Sequence, residues 1–288
     1  MKKDIFLEWK LLTSQFNIDL QEALLQQHHA AQFIAMVGKY LVPQQADDSN
    51  TNMLYSLEQE LLIGNKLSNG MHIALHLADL KLNIEDENFS SKHEISLKGK
   101  TKNQVFNELK QVLEKFDINV TSLVNELHYE IPAHNLDKGL VFNILDMESF
   151  RENTFYRINA EIIINDIASD FDSASTVRIW PHHFDTGSYI PLEFDAKNEI
   201  TKSINIGWAI PDEMINEPYY YLSLWTKNTV VDFNKLPAPD AGEWITTGWN
   251  GGILKLSDIL KKTSSKSQYD HVKTFFNSGI KILEDNFL

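Results

Sequence analysis

The chain has 288 residues, 43% of them hydrophobic, and no cysteine, which excludes disulfides, thiolate metal sites and a cysteine nucleophile. Its 40 acidic and 26 basic residues give a net charge of −14, which disfavours binding to nucleic acid and to anionic membranes. No apolar run approaches the roughly 20 residues that span a bilayer, and no secretory signal is recognisable. We therefore expect a soluble, cytoplasmic, globular protein.

Helices are predicted where apolar residues recur at intervals of three and four. The predicted helices cover residues 20–41, 102–116, 147–171 and 268–285. Asp19 is the expected N-cap of the first helix, with Glu22 three residues later as in a capping box. Pro43 follows that helix and is able to end it.

Strands are predicted where apolar and polar residues alternate between turn residues. In chain order they cover residues 53–63, 71–77, 80–84, 93–97, 177–180, 189–194, 200–208, 219–225, 230–233 and 253–256. Ile73, Leu75 and Leu77 share one face of the second strand. His72 and His76 lie on the opposite face, too far apart to bind one metal ion together, so we expect exposed histidines there.

The order helix, strands, helix occurs twice, and residues 70–116 match residues 218–287 best. We predict an α+β fold in which amphipathic helices pack on one face of antiparallel sheet, in two pseudo-repeated halves. The halves are residues 1–125 and 126–288, although one continuous domain fits the same pattern. In this scheme strand 71–77 is equivalent to strand 219–225, and 93–97 to 252–256.

Two segments are distinctive: WPHHFD at residues 180–185 and PYYY at residues 218–221. On these and on most of its length, the chain resembles a bacterial family described as a domain of unknown function. The pattern of that family has small residues where this chain has His182 and His183, which argues against an essential role for the two histidines. The resemblance implies a fold group and carries no established activity.

The densest polar cluster is the WPHHFD motif itself. If it is extended, His183 and Asp185 lie on one face with their Cα atoms about 6 to 7 Å apart. The pair is the catalytic candidate, either as ligands of a divalent metal ion or as a general base with its orienting acid. The alternative is a structural histidine at the end of a sheet, hydrogen-bonded to Asp185.

Aromatic residues around the motif are the candidate ligand-binding residues. They are Trp180, His182, Trp208, Tyr219 and Tyr221. The leading hypothesis is a protein that binds a small molecule near residues 180–185, in a cleft walled by Trp180 and Trp208. The alternatives are a metal-assisted hydrolase or isomerase that uses His183 and Asp185, and a non-catalytic protein-interaction module. The sequence leaves open whether the protein is an enzyme.

The remaining polar residues have ordinary explanations. His28 borders the apolar stripe of the first helix and is interpreted as a packed histidine. Asp212, Glu213 and Glu217 could bind a divalent metal together, but a solvated turn explains them more simply. Nucleophile elbows and phosphate-binding glycine loops are absent from the sequence.

We expect Leu109→Ala to lower the free energy of unfolding by about 2 to 5 kcal/mol, because Leu109 lies on the apolar stripe of the second helix. The same stripe carries Phe106, Leu113 and Phe116, and its counterpart in the last helix carries Phe275, Phe276, Ile280 and Leu283. Denaturant titration measures the change. A loss below roughly 1 kcal/mol would show that the position is not part of the core.

Overall fold

The structure, a computed structural model, describes residues 5–228 and 231–287. The α-helices are α1 (Ile18–Leu41), α2 (Lys102–Lys115), α3 (Met147–Ala168), α4 (Leu256–Ile259) and α5 (Ser265–Phe287). The strands are β1 (Met53–Ser56), β2 (Leu61–Gly64), β3 (His72–His76), β4 (Lys81–Glu85), β5 (Ser91–Ser96), β6 (Arg178–Trp180), β7 (Asp185–Phe194), β8 (Ile200–Ala209), β9 (Tyr219–Thr226), β10 (Glu243–Ile245) and β11 (Gly251–Lys255). The predicted α+β class is confirmed. Within the described residues, no helix is long and apolar enough to span a bilayer.

The chain divides into two compact units, each assembled from separate stretches of sequence. The N-terminal unit contains residues 17–154 and 178–184, and the C-terminal unit contains residues 5–16, 155–177, 185–228 and 231–287. These boundaries differ from residues 1–125 and 126–288, since the start of the chain belongs to the C-terminal unit. The WPHHFD motif is also divided, because Asp185 begins the next stretch of the C-terminal unit.

The N-terminal unit contains an antiparallel sheet in the order β6-β1-β2-β3-β4-β5. The core face of this sheet is fully buried and carries Leu62, Ile73, Leu75, Leu82, Ile84 and Ile95. Helix α1 packs on it so closely that a Cβ on Gly64 would lie 2.5 Å from Ile34 Cγ2. The predicted alternation of β3 is confirmed. His72 and His76, on the other face, are half-buried rather than exposed, because they bind the Gly64 carbonyl and Asp79.

Helix α1 begins at an asparagine rather than at the predicted aspartate. Asn17 is its N-cap, and the Asn17 side chain accepts hydrogen bonds from the backbone N–H groups of Asp19 and Leu20. Asp19 is therefore already inside the first turn, where its negative charge interacts favourably with the positive end of the helix dipole.

Five polar side chains of α1 are buried, which amphipathic periodicity does not predict. They are Gln26, Gln27, His28, His29 and Gln32, each at most 3% exposed. Each binds at least one backbone carbonyl of another segment of the N-terminal unit. Burial, with a smaller effect of Lys102, lowers the pKa of His29 to about 4, so the imidazole is neutral near pH 7. Helix α1 thus satisfies carbonyls of irregular segments at Leu77, Pro132, Asn143 and Pro181, and one carbonyl in the first turn of α3, at Phe150.

The C-terminal unit contains a second antiparallel sheet, in the order β7-β8-β9-β11-β10. One face of it, the helix face, carries Trp208, Tyr220, Leu222 and Leu254 and packs against α5. The rings of Tyr220 and Phe276 meet edge to face at 5.9 Å. The helix also fixes the start of the chain, because Gln268 binds the backbone N–H and carbonyl of Leu12 and the indole N–H of Trp9. This bond set explains why residues 5–16 belong to the C-terminal unit.

The predicted helix–sheet stripes are largely confirmed. Phe106, Leu109 and Leu113 are buried where α2 packs against β5. Phe116 is only half-buried, because it is the C-cap residue of α2 and lies at the end of the stripe. The four α5 residues of the counterpart stripe are all buried.

Two of the predicted strands are wrong in detail and one observed strand was missed. Residues 53–63 form the hairpin β1–β2 rather than one strand. The predicted strand 230–233 is described only in part, because residue 230 lies outside the described residues. Its remaining residues, 231–233, do not form a strand. Strand β10 is three residues long, too short for alternation to identify it.

The two sheets share part of their topology. β1-β2-β3 and β7-β8-β9 are both meanders, and β3 and β9 are each the third strand, as the predicted equivalence requires. The equivalence of 93–97 with 252–256 is not kept, since β5 is the last strand in the sheet order, next to β4, whereas β11 lies between β9 and β10. The pseudo-repeat stays a prediction.

Glu85, at the end of β4, is a buried carboxyl group with an unusual environment. It is 1% exposed, and its Oε2 has no hydrogen-bond partner in the described part of the chain. Burial, with a smaller effect of Asp86, raises the pKa of Glu85 above its usual range. The folded state therefore holds this proton more tightly than the unfolded chain, and stability falls as the pH rises through the folded pKa.

We expect Glu85→Gln to raise the free energy of unfolding at pH 8 by roughly 1 kcal/mol, because a neutral amide avoids the cost of a buried charge. Thermal unfolding of the two proteins across a pH series measures the difference. The gain should shrink as the pH falls toward the ordinary pKa of glutamate. A gain that is equal at pH 4 and pH 8, or a loss at both, contradicts this explanation.

Candidate functional site

Residues 181–184 form a tight turn between β6 and β7, not the extended segment that was predicted. The Phe184 N–H donates to the Trp180 carbonyl at 2.7 Å, and Phe184 has a φ of +52°. The strand period therefore cannot place His183 and Asp185 on one face. Their joint role as an acid–base pair or as metal ligands stays a prediction, without that geometric argument.

The side chains of the turn are arranged by α1. The imidazole of His28 stacks on the Phe184 ring at 4.9 Å, and its Nε2 lies 2.8 Å from the Pro181 carbonyl oxygen. Gln32 donates to the same carbonyl at 3.0 Å. His28 is 0% exposed, so its interpretation as a packed histidine is confirmed. The shape of the turn is thus set by buried structural contacts.

The predicted ligand-binding residues of the turn are partly accessible. The imidazole rings of His182 and His183 lie 4.4 Å apart, so they do not point in opposite directions as an extended strand would require. His183 is exposed, and His182 is half-buried between the rings of Trp180 and Tyr129. These residues belong to the N-terminal unit, whereas Asp185, Trp208, Tyr219 and Tyr221 belong to the C-terminal unit.

In the C-terminal unit, Asp185 and Tyr221 meet on the face of the sheet opposite the helix face, here called the Asp185 face. The Tyr221 hydroxyl donates to Asp185 Oδ2 at 2.7 Å. Between them lie Gly187 and Gly207, which pair directly with each other, while Gly207 also pairs with Tyr221. A Cβ on Gly207 would lie 2.4 Å from the Tyr221 hydroxyl, and one on Gly187 would lie 2.9 Å from it. Because neither glycine has a side chain, the Tyr221 phenol ring can lie over both positions and reach Asp185.

A second tyrosine–aspartate pair lies on the same strand. The Tyr219 hydroxyl donates to Asp212 Oδ2 at 2.6 Å. Burial, reinforced by the hydrogen bond to Asp212, raises the pKa of Tyr219 well above its usual range. Burial and the nearby charge of Asp185 raise the pKa of Tyr221 in the same direction. Both phenols are therefore protonated near neutral pH and act as donors to their carboxylates.

The two aspartates differ in the use of their second oxygen. Asp212 Oδ1 accepts hydrogen bonds from the backbone N–H groups of Met214 and Ile215, at 2.8 and 2.9 Å. Asp212 is thus fully paired and closes the turn before β9. Asp185 Oδ1 is buried and has no hydrogen-bond partner among the described residues. Of the two, Asp185 is therefore the carboxylate with an unpaired oxygen in the described part of the chain.

Trp208 does not lie on the Asp185 face, contrary to its predicted place in the wall of the cleft. It pairs with Thr186 and Tyr220, and side chains alternate along a strand, so it points to the helix face. There it is 2% exposed and covered by Arg157 and Tyr156, with the guanidinium carbon 4.7 Å from the indole centre. Trp208 is a core residue of the C-terminal unit.

The other carboxylates near this site have structural partners or face solvent. Glu217 accepts hydrogen bonds from the Ser257 N–H at 2.7 Å and from the Ser257 hydroxyl at 2.9 Å, at the first turn of α4. Glu213 is exposed. Over the described residues, no group of three or more His, Asp or Glu side chains is arranged to hold a metal ion. A divalent metal therefore stays a prediction with no identified site.

Sequence reasoning identified Asp185 and Tyr221 but missed the two glycines that bring them together. An isolated glycine within a strand marks a close approach of another group, and Gly187 and Gly207 each give this signal. The ring of Trp249 meets Tyr221 edge to face at 6.3 Å. Trp249 packs over Gly251, again at a strand glycine.

Fold and site together define an α+β protein with an antiparallel sheet in each unit and an incompletely paired carboxylate on one sheet face. Comparison with family models, with curated proteins and with solved structures finds no match. The resemblance to a bacterial family of unknown function stays a prediction. A function must therefore be argued from the geometry of the site.

We expect Gly207→Ala to lower the free energy of unfolding by about 1 to 3 kcal/mol, because its methyl group would overlap the Tyr221 phenol and the Thr186 carbonyl. Gly187→Ala is the graded control, since its methyl group would lie 2.9 Å from the phenol oxygen and 3.2 Å from the Ile206 carbonyl, a milder overlap than at Gly207. Chemical denaturation compares the two variants. Equal stability of Gly207→Ala and the unmodified protein would contradict the described path of the Tyr221 ring.

Proposed function

We propose that the protein binds a small molecule through Asp185 on the Asp185 face of the C-terminal sheet. The observation that carries the proposal is the buried Asp185 Oδ1, which lacks a partner in the described part of the chain. An unpaired buried polar group costs about 1 to 3 kcal/mol, and more if it is charged. A ligand that donates a hydrogen bond to this oxygen would recover that free energy.

The arrangement favours a ligand with a hydroxyl or amine group. The Tyr221 phenol is a fixed donor to Oδ2, so it holds the carboxylate in one orientation and leaves Oδ1 as an acceptor. An amine that carries a positive charge would form the stronger, charge-assisted bond.

Several sequence-based expectations accompany this proposal. Trp180, His182 and His183 remain predicted contributors to ligand binding, and the use of His183 and Asp185 in a metal-assisted reaction is a further prediction. The net charge of −14 supports a cytoplasmic protein that binds neither nucleic acid nor membranes. Comparison with Asp212 supports the choice of Asp185, since both oxygens of a structural carboxylate such as Asp212 accept hydrogen bonds within the protein.

We expect Asp185→Asn to abolish the stabilisation of the protein by its ligand, since the amide removes the charge and half of the acceptor capacity. A thermal-shift screen with a library of amines and polyols identifies the ligand. A compound present at 100 times its dissociation constant should stabilise the unmodified protein by about 2.7 kcal/mol. Tyr221→Phe should weaken the same response, because the carboxylate loses the donor that orients it.

Asp212→Asn is the matched control. It should lower the melting temperature without ligand, because the amide cannot accept all three hydrogen bonds, but should leave the ligand response in place. Asp185→Asn should cost little stability, because the Tyr221 hydroxyl still finds an acceptor. If Asp185→Asn destabilises the protein as much as Asp212→Asn does, and no compound shifts the unmodified protein, then Asp185 is structural and the proposal is wrong.

A further inference from the structure

Beyond Gly187 and Gly207, the Asp185 face continues with a row of three paired residues. Tyr189 of β7 pairs with Asn205 of β8, which pairs with Ser223 of β9. Trp225, two residues after Ser223 on β9, points to the same face. These four residues, Tyr189, Asn205, Ser223 and Trp225, are here called the aromatic platform.

The two rings of the aromatic platform are unusually exposed. Tyr189 is 44% exposed and Trp225 is 46% exposed, whereas large aromatic side chains are usually buried for the most part. Asn205 lies on β8, between the strands that carry the two rings, and its amide donates to the hydroxyl of Ser223 on β9 at 3.3 Å; both side chains are half-buried. The surface therefore combines two apolar ring faces with a polar centre.

The backbone under the platform is fixed on both sides of β7. Tyr189 pairs with Asn205 on one side, and on the other its carbonyl accepts from the Ser175 N–H at 2.8 Å while its own N–H donates to the Ser175 hydroxyl at 3.0 Å. Such support reduces the conformational entropy that ligand binding would cost. The ring of Tyr189 is thus presented to solvent from a rigid strand.

We infer that the aromatic platform binds a carbohydrate. A sugar ring has C–H groups that pack on the face of an aromatic ring and hydroxyl groups that both donate and accept hydrogen bonds. Strands β7 and β9 are separated by one strand, and Trp225 lies two residues beyond the register of Tyr189, so the two Cα atoms are about 12 Å apart. That spacing suits alternate rings of an extended oligosaccharide, with the hydroxyls of the middle sugar directed at Asn205 and Ser223.

The polar centre argues for a sugar against an apolar protein partner. A hydrophobic helix or strand placed on the platform would bury the Asn205 amide and the Ser223 hydroxyl, whose remaining hydrogen-bonding capacity it could not satisfy. A polyhydroxylated ligand satisfies those groups while its apolar ring faces cover Tyr189 and Trp225. The inference uses none of the hydrogen bonds of Asp185, so it stands or falls separately from the proposed function.

The test is a glycan array probed with the full-length protein, followed by titration of the best-retained oligosaccharide with tryptophan fluorescence as the readout. We expect retention of oligosaccharides of about three or more sugar units, which is the span of the two strands. Trp225→Ala and Tyr189→Ala should each weaken the binding at least tenfold. Trp225→Phe should restore part of it, because an aromatic face is kept.

Phe194→Ala is the matched control, because Phe194 is also an exposed ring on β7, at 50%, but is not part of the platform. It should leave the affinity unchanged. Circular dichroism shows that each variant is folded. The inference is overturned if the array retains no oligosaccharide, or if binding survives Trp225→Ala and Tyr189→Ala unchanged.

Discussion

The candidate site depends on the path of one phenol ring across two strand positions that have no side chain. Tyr221 reaches from β9 over Gly207 to the edge of Gly187, and only there does its hydroxyl meet Asp185. Because the phenol occupies Oδ2, the carboxylate is held with Oδ1 unpaired within the described residues. A side chain at either glycine would move the ring, and the carboxylate would lose the group that orients it. The absence of side chains at Gly187 and Gly207 thus determines how the Asp185 carboxylate is oriented.

Much of the fold could be predicted from local patterns. The bounds of α2 and the alternation in β3 follow from periodicity alone, because the large apolar residues of each element recur on the face that packs in the core. Asp185, Tyr219 and Tyr221 could likewise be singled out, since polar and aromatic residues are concentrated in their segments. Strand alternation also predicts that Tyr219 and Tyr221 share a face, which is the arrangement in the structure.

The rest depended on contacts between residues far apart in the sequence. Nothing local shows that residues 181–184 turn, because the turn is fixed by His28 and Gln32 of α1, which lie 153 and 149 positions away from Pro181. The buried glutamines of α1 gave no apolar signal, since their partners are carbonyls in other segments. Trp208 was misplaced because its neighbourhood in sequence suggested a binding cleft, whereas its position next to Gly207 requires the opposite face.

The dependence of α1 on Pro181 has a consequence for how the protein is made. A ribosome adds about 5 to 20 residues per second, so the 153 positions between His28 and Pro181 correspond to about 8 to 30 s of synthesis. Throughout that interval the carbonyl that the His28 imidazole binds does not yet exist. The N-terminal unit therefore cannot mature as the chain emerges, and its most deeply buried helix must wait for the middle of the chain.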